Sequence, residues 1–171
     1  MENSNENNSE KKLIIHRIFD APRELLWKAW TDPEITKKWF GPRTYTIPFN
    51  SIDLRLGGKN ITCMRSPEGK DMWSVGEYRE LIPNERIVIT DSFADENGNI
   101  VSASDYGMDP AFPLESIVVI TFKDLDGKTD FNMNYIDGTS PIPEKDLIDM
   151  TAGWNESFDK LDEYLAQVSN K

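Results

Sequence analysis

Between residues 144 and 168, Leu147, Met150, Trp154, Phe158, Leu161, Leu165 and Val168 recur at steps of three and four. This is the spacing of one continuous apolar stripe along a helix, with Glu156, Asp159, Lys160, Asp162 and Glu163 left for solvent. A stripe of that length needs an equally long apolar surface to face. Gly153 interrupts it at a cost of about 1 kcal/mol relative to alanine, and is expected to permit close approach to a sheet.

The segment before it supplies the candidate surface. From residue 51 the apolar period is two, in "SIDLRLGG" (51–58), "NITCMR" (60–65), "MWSVGEYREL" (72–81), "RIVITDSF" (86–93), "SIVVITF" (116–122) and "TDFNMNY" (129–135). Most are separated by turn signals such as "GGKN", "SPEGKD", "IPNE" and "DLDGK", which predicts an antiparallel meander of six strands. A seventh strand is expected at "LIIHRIF" (13–19). Two short helices follow it, the first opened by Pro22 and the second by Asp32–Pro33 and stopped at "FGP". "GNIVSASDYGMDPAFPLE" (98–115) is too long for a hairpin turn. With Tyr106, Met108 and Phe112 it reads as a partly packed flap.

At 171 residues one domain is expected, over 13–168, with residues 1–12 a disordered tail. A formal charge of −11 argues against nucleic acid and anionic membrane as partners. The longest apolar run is "IVVI", too short to span a bilayer, and the N-terminus lacks the apolar core of a signal peptide. The expected location is therefore cytoplasmic. Cys63 and His16 are the only residues of their types, so no intramolecular disulfide, zinc site or His-based triad is indicated. No metal and no cofactor are expected. "DLRLGG" lacks the pattern of a phosphate loop.

"FDAPRELLWKAWTDPEITKKWF", "DLRLGG", "GEYRELIPNERIVIT" and "GWNESFDKLDEYL" together resemble, in order, the domain named for the activator of the heat-shock chaperone ATPase homologue. That family lies within the START-like or SRPBCC superfamily. The resemblance spans about residues 13–168. It implies an α+β helix-grip fold: about seven curved antiparallel strands around a long C-terminal helix, with a cavity between. Many relatives hold hydrophobic molecules there, some catalyse on them, and the eukaryotic namesakes bind a chaperone. The flap is longer than the resemblance predicts.

Burying one tryptophan side chain is worth roughly 4–6 kcal/mol as an upper figure. A fold cannot hold several indoles exposed, and Trp27 and Trp30 are expected to be committed to packing. The expected cavity lining is Trp39, Phe40, Trp73, Tyr78, Met133, Tyr135, Trp154 and Phe158. Arg55 and Glu77 are the candidate polar groups for orienting a ligand, subject to sheet register. The favoured function is binding of a small hydrophobic or aromatic molecule. The alternatives are a cyclase- or dehydratase-type enzyme, which needs an ionisable pair converging in the cavity, and a chaperone-interacting module. No catalytic residue is assigned, and the chain is expected to act as a monomer or homodimer.

Overall fold

The computed structural model describes residues 13–136 and 141–169; the tail expected at 1–12 lies outside the described residues. The elements are β1 (Ile14–Phe19), α1 (Arg23–Thr31), α2 (Pro33–Trp39), β2 (Thr46–Ile52), β3 (Lys59–Arg65), β4 (Asp71–Ile82), β5 (Arg86–Ala94), β6 (Ser116–Leu125), β7 (Lys128–Ile136) and α3 (Glu144–Ser169). One curved antiparallel sheet runs in the order β1-β7-β6-β5-β4-β3-β2, and α3 lies across its concave face. This is the α+β architecture expected.

The elements form where local chemistry directs them. Asp32 ends α1 and caps α2, its carboxylate accepting from the backbone N–H of Glu34 at 2.9 Å and of Ile35 at 3.4 Å. Pro33 occupies the first turn, where no N–H is needed. In β7 Phe131, Met133 and Tyr135 are buried while Asp130, Asn132 and Asn134 are only partly so, which is period two with one face inward.

One strand differs from the sequence reading. The expected strand at 51–58 is only the end of β2, which begins at Thr46; residues 53–58 make a tight turn in which Arg55 N–H donates to Asp53 O and Gly58 N–H to Arg55 O. Pro48 obscures β2 because proline cannot donate to a ladder. It is tolerated because β2 is an edge strand whose pairing with β3 shifts register between Thr46 and Phe49.

The core joins the concave residues Ile87, Ile120, Phe122, Phe131 and Met133 to Phe158, Leu161 and Leu165 of α3. Arg17 of β1 grips α3 from the side, donating to Asp159 at 2.8 Å, Asp162 at 3.3 Å and the carbonyl of Asn155 at 3.2 Å. Arg43, after α2, pairs with Glu163 at 2.6 Å, and Lys160 donates to the carbonyl of Phe40 at 3.3 Å. Gly153 does not approach the sheet: the nearest atom to an added Cβ is Pro42 Cγ, at 3.7 Å.

Candidate functional site

Towards its Trp154 end, α3 stands off the sheet and leaves two adjoining cavities. The larger measures about 290 Å³ and the smaller about 90 Å³. Phe40, Ser74, Asp91, Tyr135 and Trp154 line both, so they form the wall between the two spaces. The remaining walls of the larger space include Met64, Met72, Met108 and Met150, with Phe93 and Phe112. Trp30, Tyr78, Ile89, Val118 and Met133 face the smaller one. No Lys, Arg or His among the described residues lines either cavity.

The flap of residues 98–115 builds one side of this site. Ile100 bridges Ala94, and the N–H of Val101 donates to Phe93 O at 2.9 Å, so the segment extends the sheet beside β5. A single 3₁₀ turn, Ala103–Tyr106, follows. The Tyr106 hydroxyl donates to the carbonyl of Ala94 and accepts from the N–H of Trp73. Phe112 then meets the Phe93 ring at 5.4 Å, and both line the larger cavity.

The ionisable pair in the shared wall comes from β5 and β7. Ile87, Ile89, Asp91 and Phe93 share one strand face, so a carboxylate interrupts an otherwise apolar row. Tyr135 donates its hydroxyl to Asp91 Oδ2 at 2.7 Å. Burial pushes the Asp91 carboxyl above the ordinary aspartate range, against the opposing pull of the Tyr135 hydrogen bond. The Tyr135 phenol is raised well above its ordinary value, chiefly by burial and then by the Asp91 charge. Burial also pushes the Tyr78 phenol up to about 12. The indole N–H of Trp30 is buried and has no hydrogen-bond partner among the described residues, although its ring stacks between Phe131 at 5.8 Å and Trp154 at 5.9 Å.

The residues singled out from sequence divide into distinct places. Phe40, Tyr135 and Trp154 lie together on the shared wall, with Tyr78 and Met133 in the smaller cavity. Trp39 is fully buried beneath that wall, its indole N–H donating to Ala29 O at 3.0 Å, and Phe158 is likewise fully buried core. Trp73 points away from the cavity, because its neighbours Met72 and Ser74 take the inward positions; its ring packs on Phe49 at 5.5 Å. Arg55 lies in the exposed turn after β2, 2.8 Å from Asp53, and Glu77 faces Arg79. Neither charge enters the cavity, since the register of β4 turns Gly76 and Tyr78 inward and Glu77 outward. Trp30 and Asp91 are lining residues that sequence reasoning does not single out. For Asp91 a signal exists, as the lone charge on an apolar strand face.

Among the described residues no helix is long and apolar enough to cross a membrane, and no group of three or more His, Cys, Asp or Glu side chains converges on a metal position. Burial raises the thiol pKa of Cys63, which is packed as a small apolar residue.

No curated protein matches this chain. Among solved structures it is similar to a protein from Nitrosomonas europaea, 25% identical with a TM-score of 0.77, covering 96% of this chain and 99% of that one. A protein from Arthrobacter aurescens has 22% identity and a TM-score of 0.74, with 92% and 87% covered. The AHSA1 protein from Silicibacter pomeroyi has 20% identity and a TM-score of 0.70, with 91% and 98% covered. The family model described as "Activator of Hsp90 ATPase homolog 1-like protein" matches residues 20–166, and by that match over most of its length the chain belongs to this family of START-like proteins.

Proposed function

We propose that the protein binds a small hydrophobic or aromatic molecule in the paired cavities between the sheet and α3. The observation that carries this reading is that Phe40, Tyr135 and Trp154 line both spaces, so that two adjoining, largely apolar cavities lie beside a well-packed core. Its volume falls near the lower end of small-molecule pockets. Trp30 and Trp154 flank the site, so occupancy is expected to change tryptophan emission. Titration with apolar aromatic compounds tests this: quenching should saturate, and thermal stability should rise as the logarithm of ligand concentration. No quenching and no thermal shift across such a panel would end the proposal.

A catalytic role on the same scaffold is supported by one observation, the Asp91–Tyr135 pair in the cavity wall. It is the converging ionisable pair that cyclase-type chemistry requires. Conversion of a bound compound, followed by mass spectrometry and lost in Asp91→Asn, is the outcome that would favour this over simple binding. The fold also serves as a co-chaperone-like scaffold in its namesakes.

A further inference from the structure

We propose that the ligand of this cavity is an apolar or aromatic amine whose ammonium group pairs with Asp91. The proposal rests on the binding role above and specifies the chemistry of its ligand. Three independent features of the site lead there.

The first is an unmatched carboxylate. Asp91 Oδ2 is engaged by the Tyr135 hydroxyl, and among the described residues no group donates to Oδ1. Asp91 is partly buried in a largely apolar wall, where a carboxylate is costly unless it is paired and hydrogen-bonded. No cation among the described residues lines either cavity, and Arg17, Arg43 and Lys160 beside α3 are engaged elsewhere, with Asp159 and Asp162, with Glu163 and with the carbonyl of Phe40. Among the described residues the protein therefore supplies no countercharge, and a ligand ammonium would supply one together with donors for Oδ1.

The second is the character of the walls. Phe40, Tyr135 and Trp154 surround the carboxylate on the shared wall, with Trp30 behind them. Aromatic faces attract a desolvated cation through their ring quadrupoles, which adds to the carboxylate's pull. The third is the sign of charge along the approach. Asp149, exposed on α3, is the other carboxylate lining the larger cavity, so both charged side chains that line it are negative.

The pH dependence has a defined sign. Tyr135 from β7 faces Asp91 directly, Asp149 from α3 and Tyr78 from β4 are the other titratable groups lining the cavities, and neither phenol ionises near neutrality. An amine needs ionised Asp91, so its affinity should climb as pH rises through the Asp91 pKa and hold until the amine itself deprotonates. A neutral ligand held by protonated Asp91 would show the reverse trend.

The experiment compares phenylbutylamine, phenylbutanol and phenylbutyrate, which share one apolar body and differ in head group, by calorimetric titration of the full chain. The amine is expected to bind about ten- to hundredfold more tightly than the alcohol, with the carboxylate weakest. Asp91→Asn should abolish the preference for the amine over the alcohol. Asp149→Asn should retain most of the preference. The pH profiles of amine and alcohol on the unaltered protein separate the same alternatives without any variant. Equal affinity of amine and alcohol overturns the amine assignment while the pocket stands. A preference that survives Asp91→Asn overturns the role of Asp91. No binding by any of the three overturns this inference, and fluorescence titration with uncharged aromatics then decides separately whether the pocket reading falls as well.

Discussion

Asp91 is held in its place by strand geometry rather than by favourable solvation, and its energetics follow from that. Its folded pKa is raised above the unfolded value, so the stability it contributes is fully present below the unfolded aspartate pKa and is lost as pH rises through the folded one. In the ligand-free protein, Asp91→Asn is therefore expected to be neutral at about pH 4 and stabilising by about pH 8. Thermal melts of both proteins across that range check it, and a gap that stays flat would show that the carboxyl is well solvated. Thr129 presents the opposite case. It is fully buried and donates to Ala21 O at 2.7 Å, so Thr129→Val should cost about 1–2 kcal/mol in urea unfolding by stranding that carbonyl. At this scale the sequence is legible where a residue's type already limits its place, as for Phe40, Tyr135 and Trp154. It is not legible for Glu77, whose direction depends on a register that one residue of slippage reverses, nor for Arg55, which lies in a turn rather than on the expected strand. Nor does it separate Trp30 from Trp27, since both are only partly buried on one short helix and only the packing shows which of them meets the cavity.

Individual elements show the same division. The stripe on α3 and the alternation of β7 are long, regular patterns, and both elements form where those patterns lie. β2 is harder to read because its proline hides an edge strand and because Gly57 and Gly58 look like the end of a strand rather than a turn. In β4, Gly76 is required by close approach: an added Cβ would stand 2.4 Å from the carbonyl of Thr90. Gly76→Ala should destabilise the protein by more than the ordinary Gly–Ala difference of about 1 kcal/mol, with the sign reversed from that expected in a helix. Gly153 in α3 behaves differently, because a methyl group there meets only Pro42 at 3.7 Å. Gly153→Ala should stabilise α3 by up to about 1 kcal/mol while narrowing the larger cavity, which Gly153 lines. A higher melting temperature together with weaker ligand quenching is the paired result to look for.

Over the whole molecule, the strands from β2 to β7 each pair with the next in sequence, whereas β1 pairs with β7 across the length of the chain, Ile14 opposite Asn134. Arg17 stands on that late-joining strand and holds α3. Its removal, Arg17→Ala, should cost about 1–2 kcal/mol after allowance for half-exposed partners, and the loss should shrink in high salt. The meander can thus zip up from local hairpins as it emerges, but its concave face carries Phe122, Phe131 and Met133, which α1 covers only in part, through Trp27 and Trp30, until the final helix is made. Once β7 is made and before α3 closes over it, this chain is a sheet with a partly uncovered oily side, and that short wait for its own last element is its most hazardous interval.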